Sequence, residues 1–220
     1  MTSKRVAVIT GGAGDLAAEI AVALRGREFD VRTPGRESLD VTEPESVREF
    51  FTSLERIDLL VNNAGSRADV SCMKMTERQW DEVLATNLRG AFLCSQAALL
   101  KMIAQRAGHI VNVGSFSARF GNYGQANYAA AKAGLIGLTQ SLARETGRRN
   151  VRVNCVLPGF LETKFTAEVP EKVKTEILQA HELRRFNTPE EAAKFIAFLD
   201  TMPFVSGQVF QLDSRVSPWT

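Results

Sequence analysis

Short β-branched runs alternate with amphipathic helical runs along the whole chain, and no other feature constrains the fold as much. Arg5-Val6-Ala7-Val8-Ile9-Thr10 is a strand-like run ended by Gly11-Gly12, after which Leu16, Ala17, Ile20, Ala21 and Leu24 recur at helical spacing. Residues 29–33 read as a second strand, stopped by Pro34-Gly35. Thr42-Glu43-Pro44-Glu45 has the spacing of a capping box and opens a helix to about residue 54. Residues 57–61, 109–113, 151–157 and 208–212 read as four more strands. Thr76-Glu77-Arg78-Gln79 is a second capping box, followed by an apolar stripe of Trp80, Val83, Leu84 and Leu88. Residues 123–147 predict a long helix, and Thr188-Pro189-Glu190-Glu191 combines an N-cap, an N1 proline and an N3 glutamate. Strand–helix alternation of this kind predicts a doubly wound parallel sheet of the Rossmann type, covered by helices on both faces. With no internal repeat, linker-like stretch or shift of composition, residues 1–220 read as a single domain that is both dinucleotide-binding and catalytic.

One connection is too short. Only residues 34–38 lie between the second strand and Leu39, whereas a parallel crossover needs roughly a dozen residues. The crossover helix after strand two is therefore expected to be missing, with a stunted or absent edge strand.

Composition narrows the function. A chain of 220 residues buries a core without disulfides or metal. Lysines and arginines number 27 against 25 acids, which leaves no electrostatic footprint for nucleic acid. No run of 18 apolar residues suggests a membrane-spanning helix. Residues 1–12 are too short in apolar content for a signal peptide and read as a strand. Cys72, Cys94 and Cys155 are scattered and odd in number, as expected of free thiols in the cytoplasm. His109 and His181 fit no ligand pattern, and no metal site is expected.

Thr10-Gly11-Gly12-Ala13-Gly14 joins the first strand to a helix. Glycines at such a turn let the backbone approach a phosphate, and the helix N-terminus adds N–H groups and a positive dipole end. Tyr128 and Lys132 stand at i and i+4 on one helix, so they share a face. A tyrosine titrates at about 10 and is a poor base near neutrality; an ammonium beside it, with an oxidised nicotinamide, would lower that value. Asn87 stands on the apolar face of its helix, where a buried amide needs partners.

These residues together carry a resemblance. Residues 10–17 resemble the T-G-x-x-x-G-x-G turn of the short-chain dehydrogenases/reductases. Asn62-Asn63-Ala64-Gly65 matches their N-N-A-G motif, and Ser115, Tyr128 and Lys132 match their S…Y-x-x-x-K set. Asn87 in Thr86-Asn87-Leu88-Arg89-Gly90 matches their fourth active-site residue, and Pro158-Gly159 their P-G turn. The resemblance spans the chain and is strongest, in residues 121–145 and 158–163, to β-ketoacyl-acyl-carrier-protein reductases. It implies an NAD(P)(H)-dependent oxidoreductase that moves hydride between a nicotinamide and a carbonyl or secondary alcohol, a 3-oxoacyl thioester among the candidates. It implies that Ser115 polarises the substrate oxygen, that Tyr128 transfers the proton, and that Lys132 holds the nicotinamide ribose. Asn87 would anchor a water leading to Lys132. The implied cofactor contacts are Gly11, Gly12 and Gly14 at the phosphates, Asp40 and Val41 at the adenine, then Asn63, Ala64, Gly65, Pro158, Gly159, Leu161 and Thr163. Arg32 and Arg36 suit a 2′-phosphate, which favours NADP(H) over NAD(H). Helices over residues 91–103 and 128–142 are apolar on more than one face, and relatives pair such helices, so a homotetramer is expected.

The chain also departs from the pattern. Asp15 and Ala17 replace the second and third motif glycines, and Leu212-Asp213-Ser214-Arg215 stands where D-G-G is usual. Asp15 places a carboxylate near the expected pyrophosphate. At an effective dielectric of about 20, like charges about 5 Å apart repel by roughly 3 kcal/mol. A second reading, a catalytically idle family member serving as a binding or scaffold protein, stays open on this residue. Residues 66–75 and 160–180, which would set the substrate, fit no pattern; Lys164, Lys172 and Lys174 suit either an acidic carrier protein or a solvated face.

Overall fold

The computed structural model describes residues 4–216; residues 1–3 and 217–220, at the two ends of the expected domain, lie outside the described residues. In chain order the elements are β1 (Arg5–Ile9), α1 (Asp15–Arg25), β2 (Phe29–Arg32), α2 (Pro44–Thr52), β3 (Leu59–Asn62), α3 (Glu77–Leu84), α4 (Gly90–Gln105), β4 (Gly108–Val113), α5 (Ser117–Phe120), α6 (Ala126–Thr146), β5 (Val151–Leu157), α7 (Glu171–Gln179), α8 (Pro189–Asp200) and β6 (Val209–Gln211). The strands form one parallel six-stranded sheet in the order β2-β1-β3-β4-β5-β6. The order reverses direction between β1 and β3, which makes that crevice the switch point.

The pleat divides the core. Ala7, Ile9, Leu59, Val61, Val111 and Val156 face α1 and α8, while Val8, Leu60, Ile110, Val151 and Val153 face α2 and α4. Nearly every residue of the central strands is fully buried, because helices cover both faces. The expected gap after β2 is real: residues 33–43 contain neither strand nor helix, and β2 is the sheet edge. Crossover from β2 to β3 is made by α2 alone.

Local chemistry moved several boundaries. Thr42 does not cap α2; its hydroxyl donates to the Asp40 carboxylate, and Glu43 occupies the N-cap with no side-chain bond. Thr76 and Gln79 do form the reciprocal box on α3, and Thr188 accepts from the Glu191 N–H on α8. The long helix starts at Ala126, not 123, because residues 121–125 form a turn with left-handed Gly124 (φ 78°). Of the apolar stripe on α3, Val83 is buried and Trp80 is exposed. α7 lay in a stretch without a readable pattern and rides on the surface with no buried residue. Helix runs unbroken over residues 77–105, long and apolar enough by composition to cross a bilayer; its inner face is buried on the sheet and α6, as in a core helix.

The floor of the sheet is fastened by a buried charge cluster. The Asp200 carboxylate receives Arg5 at 2.8 Å, Arg152 at 3.3 Å and His109 Nδ1 at 3.2 Å. Burial would raise the Asp200 pKa, but the hydrogen bonds from His109 and Arg5 hold it down at about 2. Burial drives His109 down to about 4 against the pull of Asp200, so the ring is neutral at pH 7. His109 thus binds a proton more readily unfolded than folded, and its contribution to stability declines as pH falls from about 6.5 to about 4. We predict that His109→Gln removes a loss of about 3 kcal/mol over that window. Urea melts of both proteins at pH 7 and 4 check this; parallel declines in the two would contradict it.

Candidate active site

The site is assembled at the C-terminal ends of β1, β3, β4 and β5. At the end of β1, the Thr10 hydroxyl oxygen accepts the backbone N–H groups of Asn63 (3.0 Å) and Ala64 (2.9 Å), and Asn63 Nδ2 donates back to the Thr10 carbonyl at 3.0 Å. This clasp presses the phosphate turn against the segment after β3. Gly11 has φ 68°, and a Cβ there would stand 2.8 Å from the Ala64 Cα, so only glycine fits. The Gly12 N–H donates to the Pro34 carbonyl, and Gly14 is the N-cap of α1 with no side chain capping the helix. The first-turn N–H groups of α1 therefore lie without a side-chain acceptor of their own.

α6 brings Tyr128 and Lys132 to the end of β4. Lys132 is 4% exposed, and its Nζ donates to the Val113 carbonyl at 2.7 Å. Burial depresses its pKa to about 8. The sequence leads one to expect a lowered Tyr128 pKa when Lys132 and an oxidised nicotinamide both stand beside it. In the protein alone, burial instead pushes it up to about 12, opposed by a hydrogen bond with Ser115 and by the charge of Arg67. Desolvation of the phenolate outweighs the nearby cations, so Tyr128 is a protonated donor at neutral pH. Lys132 Nζ lies 5.7 Å from the Tyr128 ring centre. Ser115 Oγ accepts the Ser117 N–H at 3.2 Å, which leaves its own hydrogen for another acceptor.

Asn87 is 1% exposed at the junction of α3 and α4. Its Nδ2 donates to the carbonyls of Val83 and Ser66, each at 2.8 Å. Val83 O is the acceptor that the Asn87 N–H would use in a regular α-helix, and residues 85–89 widen into a π-turn. Among the described residues, Asn87 Oδ1 and Ser66 Oγ are buried without a hydrogen-bond partner. A Cβ on Gly65 would fall 3.0 Å from that Oδ1 and 4.0 Å from Lys132 Nζ. The four expected catalytic residues are thus brought near one another at the ends of β3 and β4.

The expected adenine side is less open-handed. Arg32 is paired with Asp30 at 2.7 Å, and Arg36 with Asp40 at 2.9 Å. Asp40 also accepts both the N–H and the hydroxyl of Thr42. Val41 is buried against Gly90, so its side chain is committed to the core. Across the cleft, Pro158 O accepts Asn187 Nδ2, Gly159 lies against Asp213, Leu161 bridges to Asn187, and Thr163 precedes a short 3-10 turn.

Sequence reasoning missed four contributors. Arg67, largely buried, lies 3.5 Å from Asp69 and 5.5 Å from the Phe165 ring centre, and the charges of both Asp69 and Arg67 reach Tyr128. Asn127, fully buried, donates to the carbonyls of Ala68 and Gln79 and accepts the Tyr128 N–H. Its place directly before Tyr128 was the one available signal. Arg215 pairs with Asp213 and stacks over Phe116, the residue after Ser115. His181, though in a charged stretch, is fully buried 3.9 Å from Asp213.

The chain resembles known proteins over most of its length. A family model described as enoyl-(acyl carrier protein) reductase matches residues 13–215. A 3-oxoacyl-[acyl-carrier-protein] reductase of Thermotoga maritima is 45% identical over 181 residues, 80% of this chain and 74% of that protein. One of Aquifex aeolicus is 41% identical over 212 residues, 94% and 85% of the two chains. One of Staphylococcus aureus is 36% identical over 211 residues, 94% and 86%.

The close approach at Gly65 yields a test. Gly65→Ala must push Asn87 from its place or distort the segment after β3, and we expect a loss of about 1–3 kcal/mol in chemical denaturation. A variant as stable as the parent would show that the Gly65–Asn87–Lys132 packing is loose.

Proposed function

This chain belongs to the short-chain dehydrogenase/reductase family, and we propose that it reduces 3-oxoacyl thioesters with hydride from NADPH. One observation carries this reading: Tyr128, protonated and hydrogen-bonded to Ser115, shares its helix and cleft with the buried ammonium of Lys132. A hydroxyl donor and a proton donor converging on one oxygen suit a carbonyl becoming an alkoxide. That favours the 3-oxo group named for the relatives over the enoyl double bond named for the family model. No observation favours the idle reading.

The residues fit a dinucleotide. α1 has no side-chain cap, the turn is built for backbone contact, and Asn87 Oδ1 and Ser66 Oγ are orphaned. Gly11, Gly12 and Gly14 would hold the phosphates, Asp40 and the Val41 backbone the adenine, and Asn63, Ala64, Gly65, Pro158, Gly159, Leu161 and Thr163 the rest. Arg32 and Arg36 would turn from their acidic partners to a 2′-phosphate, which supports NADP(H) over NAD(H). Bound there, a reduced nicotinamide would supply the hydride. Ser115 donates a hydrogen bond to the substrate oxygen as charge develops there. Tyr128 hands its proton to that oxygen. Lys132 uses one N–H on Val113 and has two left, for ribose hydroxyls and for returning a proton to Tyr128. Asn87 Oδ1 accepts from a water that links Lys132 to solvent.

The same reading takes residues 1–220 as one domain. It assembles as a homotetramer: Trp80, Phe92, Leu100 and Ile103 are exposed along α3 and α4, and the outer face of α6 carries small residues such as Ala133 and Gly137. Three free cysteines accord with the cytoplasm. We predict that Tyr128→Phe removes more than nine-tenths of the turnover of acetoacetyl-thioester while NADPH affinity stays within a few-fold. Steady-state rates and NADPH titration check this; a variant that keeps more than about a tenth of the activity contradicts the role of Tyr128. Light scattering at micromolar concentration is expected to give the mass of four chains, and a monomer would contradict the assembly.

A further inference from the structure

Residues 164–168 form a strap beside Tyr128, tied down at both ends. At one end the Lys164 N–H donates to Asp15 Oδ2 at 2.7 Å, and the Lys164 ammonium lies 3.8 Å from Asp15 Oδ1. At the other end Glu168 lies 3.8 Å from Arg67. Between them the Phe165 ring sits 6.4 Å from the Tyr128 ring, with the Arg67 guanidinium over it. The first tie is made by the residue that takes the place of a motif glycine at the start of α1. Asp15 neither caps that helix nor points into open water.

We propose that Asp15 is an internal stand-in for the dinucleotide's pyrophosphate, holding Lys164 to the phosphate turn until the nucleotide displaces it and frees the strap over Tyr128. This rests on the dinucleotide reading above. A carboxylate and a phosphate are both oxyanions that seek N–H and ammonium donors, and Lys164 offers one of each beside the turn. Asp15 stands at the first position of an uncapped helix, next to where a phosphate draws on the same N-terminus. The two anions repel at that distance, so nucleotide entry favours rotation of Asp15 into water, which its one-third exposed side chain allows. Lys164, whose side chain is 90% exposed, is then free to follow the incoming phosphate. Nucleotide affinity is lowered by the work of undoing the tie, and strap release is coupled to binding by the same amount. Asp15 addresses the pyrophosphate, so it acts alike on NADPH and NADH.

Asp15→Asn keeps the size of the side chain and removes its charge. Titration calorimetry with ADP-ribose, which carries the pyrophosphate but no nicotinamide, reads the competition directly. We expect the variant to bind about tenfold more tightly than the parent at about 20 mM salt, with the gap shrinking at about 300 mM as charges are screened. Hydrogen exchange of the ligand-free proteins reads the tie itself, with Asp15→Ala because asparagine would keep an acceptor oxygen: the Lys164 amide is protected in the parent and exchanges at least about tenfold faster in Asp15→Ala. Equal dissociation constants at both salts overturn the competition, and equal exchange at Lys164 overturns the tie. If neither protein binds ADP-ribose or NADPH, the dinucleotide reading falls and this inference with it.

Discussion

The hydrogen bond from the buried ammonium of Lys132 to the carbonyl of Val113 ties α6 to the last residue of β4 and sets the terms for everything around it. Taking an ammonium out of water is costly, and a neutral carbonyl repays only part of that cost. Burial accordingly depresses the Lys132 pKa to about 8. The surroundings must hold the group where it has no reason to stay. Gly65 brings backbone close to Nζ, the π-turn at residues 85–89 places Asn87 beside Gly65, and Gly114 lets β4 pass against Leu157 and Cys155. Ser115 and Tyr128 are positioned by the same two elements that Lys132 connects.

The other constraint is the truncated sheet edge. Because residues 33–43 run from β2 to α2 without strand or helix, the segment over residues 33–41 folds back on itself through Asp40, which gathers Arg36, Thr42 and the Ser46 hydroxyl. The carbonyl of Pro34 then reaches the Gly12 N–H and supports the phosphate turn from the side. A shortened chain thus still builds the switch-point crevice, but with its two arginines occupied by acids and its turn carrying a carboxylate of its own. Chemistry at the nicotinamide end and recognition at the adenine end are built to different degrees of readiness.

The fold was legible because periodicity is dictated by burial. All six strands and the helices that flank them follow the residues that must leave water, and the missing crossover could be counted from residues 34–38. Asn87, Ser115, Tyr128 and Lys132 were legible as a set through the family resemblance, and the structure brings them near one another. Side-chain competition for backbone groups was not legible. Thr42 serves Asp40 instead of α2, and Gly124 turns the chain before α6 begins. Nor was the balance at Tyr128, where desolvation outweighs the cations. Arg67, Asn127 and the Lys164–Asp15 tie depend on contacts between distant segments that no local pattern records.

The central claim is that catalysis is organised around a lysine that is charged and buried at neutral pH. Selective isotope labelling of lysine side chains, with Lys132→Met to identify the signal, allows its titration to be followed by NMR in the ligand-free protein. The account predicts a midpoint at about 8, well below the ordinary lysine value of 10.5. A midpoint at the ordinary value would place the ammonium in water and contradict the site as built here.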